Sequence, residues 1–389
     1  MKPANAPSST RRQFVGQLAA SAAALALAPT AVRAATVAAP LSSKKLGVAL
    51  VGLGGYSIGQ LVPALRRTQH CQLVGVATRD PGGKGREAAQ VFGFPAKNIY
   101  AYDQIASMRD NSDIDIIYVV TPNSLHRQDV VAAAAAGKHV ITEKPMGISV
   151  ADCDTMIKAC RDAGVQLGLG YRNNFDPYFQ EMMRIARWKE FGALKAMSGE
   201  FSGNINAAGA WRTQKALAGG GPVMDLGVYV IHASILAAAG ESPIAVTAKA
   251  TINRPQIYTD VEEIMEFTLE FANGAKCDGF TSYGGPKPLG SGPNRFRADY
   301  ERGFVDFPAA FNYNGTHALT TRGPLSFPNV ADPADNTYQQ ARQLDDFARC
   351  VRDNVPTSVP GEMGRQDLCV IEAIYTSAKN NGARTLVKV

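Results

Sequence analysis

Short apolar segments alternate with helical segments along the first half of the chain, and this alternation limits the fold more than any other feature. The predicted strands are 46–51, 73–78, 114–119 and 139–142. The predicted helices between and after them are 57–67, 85–92, 102–109, 124–136 and 149–163. Strands made almost wholly of Val, Ile and Leu are typical of sheets that are buried on both faces. The pattern therefore predicts a doubly wound parallel sheet, the Rossmann arrangement, over residues 46–170.

The second half of the chain has longer alternating segments. Those at 193–201, 244–252, 262–271 and 275–282 predict a large, mostly antiparallel open sheet with one face packed on helices. The Gly-, Pro- and Asn-rich stretch 283–335 predicts only short strands and loops. Final helices at 337–353 and 361–380 are expected to pack back on the first domain. We therefore expect an α/β chain whose second domain, residues 171–389, is of the α+β type.

The first 35 residues have the pattern of an export signal. Arg11 and Arg12 precede an apolar run at 15–27, and small residues follow near 32–35. The run is too short to cross a bilayer as a stable helix. It resembles a bacterial twin-arginine signal, so we predict a signal peptide at 1–35, an N-terminal arm at 36–45, the twin-arginine export machinery as a partner and a periplasmic protein. The alternative is an ordinary secretory signal that carries two arginines.

Charge and cysteine content exclude several classes of protein. Lys and Arg number 40 against 34 Asp and Glu, a formal charge of +6, but four of these positive charges lie in the first 34 residues, and removing them leaves +2. We therefore expect no nucleic-acid partner, and no membrane partner either, because no other apolar run approaches a membrane span. The six cysteines form no CxxC pair and no Cys/His cluster. They are interpreted as mostly buried thiols; a disulfide is left open and no metal is expected.

A glycine-rich turn directly follows the first predicted strand. Gly52, Gly54, Gly55, Tyr56 and Ser57 lie between that strand and a helix, which is the context of a dinucleotide-binding fingerprint, and we count all five as candidate cofactor-binding residues. Gly52 would permit the tight turn, Gly54 would let a pyrophosphate approach, and the helix N-terminus would supply amide donors. Ser57 departs from the Gly or Ala of the third fingerprint position. The alternative is a glycine-rich turn that binds no ligand.

The end of the second predicted strand bears on the choice of dinucleotide. An NAD enzyme places Asp or Glu there to hold the ribose hydroxyls, whereas this chain has Thr78-Arg79-Asp80. A hydroxyl and a guanidinium suit a 2′-phosphate, and Lys84 would add charge. We therefore predict NADP, bound through Thr78, Arg79 and Lys84. Asp80 is the counterargument, because it could hold the ribose or merely neutralise Arg79.

Two later segments carry side chains suited to proton transfer. Glu143 and Lys144 follow the predicted strand 139–142, at the carboxyl edge where such sheets bind ligands. Asp225 and Tyr229 lie four residues apart and share a face of one helix behind a triple-glycine loop, with His232 nearly on that face. Each segment also has a structural interpretation: a surface Glu/Lys pair, and an acid that stabilises a helix N-terminus beside a half-buried Tyr. The residues alone leave both interpretations open.

The motifs taken together resemble one family. In chain order they are the turn Gly52 to Ser57, Thr121-Pro122-Asn123-Ser124-Leu125-His126, Glu143-Lys144-Pro145, Gly170-Tyr171-Arg172, Trp211-Arg212 and Gly219-Gly220-Gly221 through Tyr229. This set is similar to that of the glucose-fructose oxidoreductase and inositol dehydrogenase (Gfo/Idh/MocA) family of sugar dehydrogenases. Tyr229 stands where ordinary members tend to have His, which fits the exported, glucose-fructose type branch.

The resemblance implies roles for these residues. Lys144 and Tyr229 would be the acid/base pair and Asp225 would hold a sugar hydroxyl, so these three are the candidate catalytic residues. Further candidates for the ribose and nicotinamide half of the cofactor are Thr121, Asn123, His126, Glu143, Lys144, Arg172, Trp211 and Arg212. The candidates for substrate binding are Lys144, Arg172, Asp225, Tyr229 and His232.

The resemblance also implies a reaction on a cofactor that stays bound, because NADP is not expected as a free pool outside the cytoplasm. An aldose such as glucose would be oxidised at C1 to its aldonolactone, and a second sugar, an aldose or a ketose, would then be reduced to the alditol in a ping-pong cycle. Tyr229 or Lys144 would accept the C1 hydroxyl proton. Two alternatives stay open: a periplasmic sugar dehydrogenase with an external electron acceptor, and a non-catalytic sugar-binding protein.

The expected partners are small-molecule sugars and a second copy of the chain. The arm before Leu46 is much shorter than the proline-rich arm that clasps a neighbouring subunit in glucose-fructose oxidoreductase. A tetramer held by the arm is therefore doubtful, and we expect a homodimer across the open face of the second sheet.

Overall fold

The computed structural model describes residues 44–205, 207–285, 294–313, 317–327 and 335–389. The predicted signal peptide, residues 1–35, and positions 36–43 of the predicted arm lie outside the described residues.

Within the described residues, six strands form the first sheet. They are β1 (Leu46–Val51), β2 (Cys71–Ala77), β3 (Ile99–Tyr100), β4 (Ile116–Val119), β5 (His139–Thr142) and β6 (Leu167–Leu169). All neighbours are parallel, in the order β3-β2-β1-β4-β5-β6. The fully buried residues from Val48 to Val51 show why β1 is apolar throughout, since helices cover both faces of the sheet. The strand order reverses between β1 and β4, which opens a crevice at their carboxyl ends.

Helices follow most of these strands. They are α1 (Ser57–Leu61 continuing as Val62–Leu65), α2 (Pro81–Gly85 continuing as Arg86–Phe92), α3 (His126–Ala135) and α4 (Val150–Asp162), with 3₁₀ segments at Ala96–Asn98, Tyr102–Asp110 and Asn123–Leu125. The bounds of β1 and β5 agree with those predicted. Residues 102–109 form a 3₁₀ segment instead of the predicted helix, and β3 and β6 were not predicted.

The second sheet has nine strands within the described residues. They are β7 (Leu194–Ser202), β8 (Ala245–Thr251), β9 (Ile264–Glu270), β10 (Lys276–Ser282), β11 (Phe296–Tyr300), β12 (Gly303–Phe307), β13 (Leu319–Thr320), β14 (Gly323–Pro324) and β15 (Thr385–Leu386). Their order is β14-β13-β12-β11-β7-β10-β9-β8-β15. Only β7 and β10 are parallel; the other pairs are antiparallel. The predicted fold class, a parallel Rossmann sheet with a mostly antiparallel second sheet, is confirmed.

Five further helices complete the described part of the chain. They are α5 (Pro177–Arg187), α6 (Lys215–Ala218), α7 (Val223–Gly227 continuing as Val228–Ala237), α8 (Tyr338–Asp353) and α9 (Gly361–Lys379), with 3₁₀ turns at Arg172–Phe175 and Trp211–Thr213. α5, capped by the Asp176 carboxylate, was not predicted. α8 shares a hydrophobic core with the first sheet through Leu344 and Phe347.

Helix α7 positions the site and lies at the centre of the second half of the chain. Every residue from Val228 to Ala237 is buried, and α7 contacts β7, β10 and β11 on one side and α5 and α9 on the other. The described residues contain one helical segment, Lys215–Ala237, that is long and apolar enough to cross a membrane, but 89% of its most apolar window is buried inside the protein. Its apolar character is therefore that of a core helix. All six cysteines are buried and free, as interpreted from the sequence.

Candidate active site

A cavity of about 460 Å³ lies between the carboxyl edge of the first sheet and helix α7. Residues after β4 and β5 line one side, and residues of β7, α7 and the segment after β12 line the other. Eleven sequence candidates line it: Tyr56, Thr121, Asn123, His126, Glu143, Lys144, Arg172, Trp211, Arg212, Asp225 and Tyr229. The fold thus brings together motifs that are up to 173 positions apart in the sequence (229 − 56 = 173).

The glycine turn has the shape that a dinucleotide needs. Gly52 has φ of +110°, and a Cβ there would lie 2.8 Å from the Val120 carbonyl oxygen, so no other residue fits without strain. A Cβ at Gly54 or Gly55 would meet no atom within 4 Å, which leaves the backbone open to a ligand. The turn leads directly into α1, whose N-terminal amides favour negative charge. These residues fit a bound dinucleotide.

Ser57 does not present its side chain to that ligand space. Its hydroxyl is fully buried and donates to the Gly52 carbonyl oxygen over 2.6 Å. The hydroxyl therefore braces the turn from inside, and Ser57 as a cofactor-binding residue stays a prediction.

The residues at the end of β2 divide into a helix cap and an exposed cation. The Asp80 carboxylate accepts hydrogen bonds from the amides of Gly83 (2.9 Å) and Lys84 (3.1 Å), and these bonds lower its pKa. Asp80 thus caps α2, and among the described residues no ion pair joins it to Arg79, whose side chain is exposed. Thr78 is buried, with its hydroxyl accepting weakly from the Asp80 amide at 3.4 Å. Of the alternatives for Asp80, neutralisation of Arg79 is not observed.

The reaction end of the cavity is a buried charge cluster around Asp225. Lys144 Nζ donates to the Asp225 carbonyl oxygen (2.7 Å) and to Oδ1 (3.1 Å). Arg212 Nε donates to Oδ2 over 2.9 Å, and the Tyr283 hydroxyl donates to the same oxygen over 3.1 Å. Residues that directly follow β5 and β10 therefore meet the 3₁₀ turn Trp211–Thr213 and helix α7 at one carboxylate.

Electrostatics fix the protonation of this cluster. Burial alone would raise the pKa of Asp225, but the Lys144 ammonium and the Arg212 guanidinium lower it to about 2. Burial likewise disfavours the Lys144 ammonium, but Asp225, Tyr229 and Glu143 together outweigh that effect and raise the pKa of Lys144 above its usual value. Lys144 is therefore an ammonium and Asp225 a carboxylate at neutral pH.

Two cations lie close to the Tyr229 ring. The Lys144 ammonium is 4.7 Å from the centre of the Tyr229 ring, and Arg172 Cζ is 5.2 Å from it. The rings of Phe201 and Phe311 pack against Tyr229 at 5.4 and 5.7 Å. The ring is thus held in a defined place, with 8% of the residue exposed.

Arg172 is a buried cation whose acceptors are all uncharged. Its guanidinium donates to the carbonyl oxygens of Asn312 (3.0 Å) and Phe311 (2.6 Å) and to the Gln339 side chain. Its Cζ lies 4.5 Å from the Tyr313 ring. Among the described residues, no carboxylate is hydrogen-bonded to the Arg172 guanidinium.

The remaining candidates of the first sheet hold the cavity wall in place. The Asn123 amide donates to the Ala218 carbonyl (2.8 Å), and Thr121 donates to Asp129 (2.7 Å). The two ring nitrogens of His126 face the carbonyls of Thr121 and Pro145 at 2.8 and 3.0 Å, and burial lowers its pKa.

Glu143 is buried directly beneath Lys144. It accepts from the Tyr118 hydroxyl over 2.6 Å, and burial raises its pKa. Trp211 lines the cavity, with the Arg212 guanidinium 4.3 Å from its ring. The structure therefore places Glu143 and Trp211 at the cavity, with Glu143 anchored to the first sheet.

His232 is not brought to the cavity. Its Nδ1 lies 3.0 Å from Asp367 Oδ2 and its Nε2 lies 2.8 Å from Asn174 Oδ1, while Tyr171 stacks on its ring at 3.8 Å. The substrate-binding role expected for His232 is corrected, because both ring nitrogens are occupied on the far side of α7.

Several cavity residues escaped the sequence analysis. Tyr283, Asn294, Phe311, Asn312 and Tyr313 contact or line the site. All lie in the stretch 283–335, where no periodicity marks them. Among the described residues no group of three His, Cys, Asp or Glu side chains is arranged to hold a metal ion.

Comparison with protein families gives two matches. Residues 46–171 match the model of an oxidoreductase family, GFO/IDH/MocA, described by its NAD-binding Rossmann fold. Residues 179–305 match the model of the GFO/IDH/MocA C-terminal domain.

Individual relatives span most of the chain. D-xylose 1-dehydrogenase (NADP(+)) 2 of Haloferax volcanii is 28% identical over 335 residues, which cover 86% of this chain and 98% of that protein. The crystal structure of aldose-aldose oxidoreductase from Caulobacter crescentus, complexed with glycerol, is 34% identical with a TM-score of 0.80, covering 88% of this chain and 100% of that one. Levoglucosan dehydrogenase in complex with NADH and levoglucosan shares the fold, with 22% identity, a TM-score of 0.73 and coverage of 89% and 100%.

Proposed function

Because the chain belongs to the GFO/IDH/MocA oxidoreductase family, we propose that it is a periplasmic NADP-dependent oxidoreductase that oxidises one aldose and reduces a second sugar. Family membership makes it an NAD(P)-dependent sugar oxidoreductase. The choice of NADP, the second sugar and the periplasmic location belong to the proposal.

One observation carries the reaction: Lys144 and Tyr229 line the same cavity at the carboxyl edge of the first sheet. A bound nicotinamide dinucleotide would supply the chemistry of hydride transfer, from C1 of one sugar and to the carbonyl carbon of the next. The protein has to bind the sugar, orient its C1 hydroxyl and move one proton. The two side chains suit these separate tasks.

Tyr229 is the group to which we assign the proton. Lys144 is held as an ammonium by Asp225, so it donates hydrogen bonds and does not accept a proton at neutral pH. The phenol hydroxyl of Tyr229 can release its proton to a nascent alditol and regain one from a C1 hydroxyl. Lys144 Nζ and Arg172 Cζ lie 4.7 and 5.2 Å from the centre of the Tyr229 ring, so two cations are close to the group that exchanges the proton.

Asp225 then serves a different purpose from the one expected from the sequence. Oδ1 accepts from Lys144, and Oδ2 accepts from Arg212 and Tyr283. Most of its acceptor capacity is used inside the protein. We therefore propose that Asp225 positions and charges Lys144, whose remaining N–H is left for a sugar oxygen.

The phosphate end supports NADP. Arg79 is exposed and unpaired with Asp80, so its guanidinium can form charge-assisted hydrogen bonds to a 2′-phosphate. The NADP(+) in the name of D-xylose 1-dehydrogenase (NADP(+)) 2 of Haloferax volcanii points the same way. Likeness to the Caulobacter crescentus aldose-aldose oxidoreductase supports the use of two sugars.

The experiment that tests the reaction is incubation of the purified protein with one aldose alone. Equal amounts of aldonolactone, or the aldonate it hydrolyses to, and alditol are expected, because the same aldose serves both half-reactions. A dehydrogenase with an external acceptor would yield oxidised sugar only after an acceptor is added, and no alditol. A non-catalytic sugar-binding protein would yield neither product.

Folded export is tested by replacing Arg11 and Arg12 with lysine. Under the proposal, this variant accumulates uncleaved and loaded with dinucleotide in the cytoplasm. Normal periplasmic appearance would instead favour the ordinary secretory route.

We also propose a homodimer through the open face of the second sheet. Along β9 buried side chains alternate with half-buried ones, so this face carries a partly covered row that includes Glu266 and Thr268. Light scattering should give twice the mass of the mature chain, and Thr268→Arg should reduce it to one chain. A monomeric parent protein would contradict the proposal.

A further inference from the structure

Two asparagines form part of the cavity wall. Asn294 lies just before β11, and Asn312 follows β12. Asn294 Nδ2 donates to Asn312 Oδ1 over 2.7 Å, and the Asn294 carbonyl accepts from the Ala310 amide over 2.6 Å. The Asn294 amide is therefore held at a fixed place in the wall by both its side chain and its backbone.

The oxygen of that amide has no partner within the described part of the chain. Asn294 Oδ1 is buried and accepts no hydrogen bond from any described residue. Among the described residues that line the cavity, only Arg172, through Nε, shares this condition. A buried acceptor without a donor is costly, so such atoms usually serve a ligand or water. Asn294 and Arg172 line the cavity, so each unpartnered atom belongs to a side chain of its wall, and a hydroxyl group can satisfy either a donor or an acceptor.

Arg172 connects this pair to the reaction end. Its guanidinium packs on the Tyr229 ring and donates to the Asn312 carbonyl. Tyr229, Arg172, Asn312 and Asn294 thus follow one another along the wall. A pyranose whose C1 lies beside Tyr229 would extend its more distant hydroxyls along this row.

We propose that Asn294 is a specificity-determining residue, whose Oδ1 accepts a hydrogen bond from a sugar hydroxyl remote from C1. Asn312 holds the amide in position. The inference rests on the proposed sugar oxidoreductase function and adds to it the recognition of one hydroxyl.

The test compares the parent and Asn294→Ala proteins with D-glucose and its 2-, 3-, 4- and 6-deoxy analogues. The measured quantity is the second-order rate constant for reduction of the bound dinucleotide by each sugar. One deoxy analogue should react about three- to tenfold more slowly than glucose with the parent, the range for one neutral hydrogen bond. Asn294→Ala should lose a similar factor with glucose and should no longer distinguish glucose from that analogue.

Binding gives a readout that is independent of turnover. 1,5-Anhydro-D-glucitol lacks the C1 hydroxyl and cannot be oxidised there, so its affinity can be measured by calorimetry. The Asn294→Ala substitution should weaken this affinity by the same factor. Asn294→Leu, which keeps the volume, should behave like Asn294→Ala, and Asn294→Asp, which keeps an acceptor oxygen, should retain the discrimination. Asn380→Ala, at the exposed end of α9, is the control and should match the parent.

The proposal is overturned if Asn294→Ala and Asn294→Leu discriminate against every deoxy sugar as strongly as the parent does. The proposal is also overturned if the substitutions lower the rate constant for glucose but leave the discrimination against every deoxy analogue unchanged. A purely structural role would have that effect. If the parent protein oxidises no sugar, the proposed function fails and this inference fails with it.

Discussion

The phosphate end and the reaction end of the candidate site are formed by different kinds of groups. At the phosphate end the backbone supplies the geometry: Gly52 with its positive φ, the open space beside Gly54, and Arg79 exposed beyond β2. At the reaction end, charged side chains are buried and bound to one another, with Asp225 as the shared acceptor of Lys144 and Arg212. The first end depends on local chain geometry, and the second depends on segments that meet only in the folded protein.

This difference predicts how each end responds to substitution. A side chain removed from the exposed phosphate end costs only its own contacts with the ligand. At the reaction end, removing a side chain leaves a buried charge without its partner or removes the group that carries the proton. Either loss is larger than the loss of a single ligand contact. Larger losses from substitutions at the phosphate end than from substitutions at the reaction end would contradict this prediction.

The largest effect is expected for Tyr229→Phe. The substitution keeps the packing on Phe201 and Phe311 and removes only the hydroxyl, so a proton-transfer role predicts a loss of about 10²- to 10⁴-fold in kcat. Single-turnover reduction of the bound dinucleotide by glucose measures this loss.

The matched control is Tyr300→Phe, which removes a buried hydroxyl bonded to the Ala237 carbonyl outside the cavity. This variant should react at the parent rate. A Tyr229→Phe protein that reduces its second sugar as fast as the parent would show that Tyr229 does not carry the proton.

Asp225→Asn should have the next largest effect, and on stability. The amide cannot neutralise Lys144 and Arg212, and leaving buried charge uncompensated costs about 3–5 kcal/mol of the free energy of unfolding. Urea unfolding at neutral pH measures the loss. Asp353→Asn, at an exposed ion pair, should change the free energy of unfolding by less than about 0.5 kcal/mol.

The pH dependence of stability gives an independent check on Asp225. Its pKa of about 2 lies below the ordinary value of 3.8, so the carboxylate contributes stability above pH 3.8. That contribution is lost as pH falls from about 3.8 through about 2. The Asn variant should lack this part of the acid destabilisation; an identical acid profile in both proteins would contradict the assignment.

The same contrast explains what the sequence could predict. β1 and the turn after it are contiguous in the sequence. A run of apolar residues followed by glycines predicts a buried strand and a tight turn from the sequence alone. β3 and β6, with two and three residues, are too short to show any pattern. Residues 102–109 form a 3₁₀ segment where an α-helix was predicted. The amino-acid composition of this segment does not distinguish the two kinds of helix.

At the reaction end, position in the sequence was informative only in part. Lys144 follows a strand of a parallel sheet, which indicates the ligand-binding edge, but its catalytic role was predicted only from the resemblance to the family. His232 was wrongly predicted to bind substrate. The spacing of residues along α7 shows which of them share a helix face, but not which face lines the cavity, because this helix is buried on all sides. Asn294 and Asn312 reach the wall because β11 pairs with the distant strand β7 and β12 pairs with β11, and such non-local pairing leaves no periodicity in the sequence.

A smaller effect, confined to binding, is expected for Arg79→Asp. The substitution removes a charge-assisted partner of the 2′-phosphate, worth about 1.5–3 kcal/mol per bond, which corresponds to roughly 10- to 100-fold weaker NADP binding. Calorimetric titration of protein stripped of dinucleotide should show this loss for NADP and none for NAD. Arg86→Asp, at an exposed position on α2, should leave both affinities unchanged. Release of NAD, rather than NADP, from denatured parent protein would contradict the assignment.

The smallest effect is expected for Ser57→Ala, and it separates bracing from ligand binding within the phosphate end itself. The hydroxyl is buried and bonded to the Gly52 carbonyl, so its loss should lower the free energy of unfolding by about 0.5–1.5 kcal/mol. Alanine is an accepted residue at this fingerprint position, so NADP affinity should stay within about twofold of the parent. Urea unfolding and calorimetry on the same preparation measure the two quantities. If affinity falls tenfold while stability is unchanged, the Ser57 side chain contacts the ligand after all, and the phosphate end relies on side chains as much as the reaction end does.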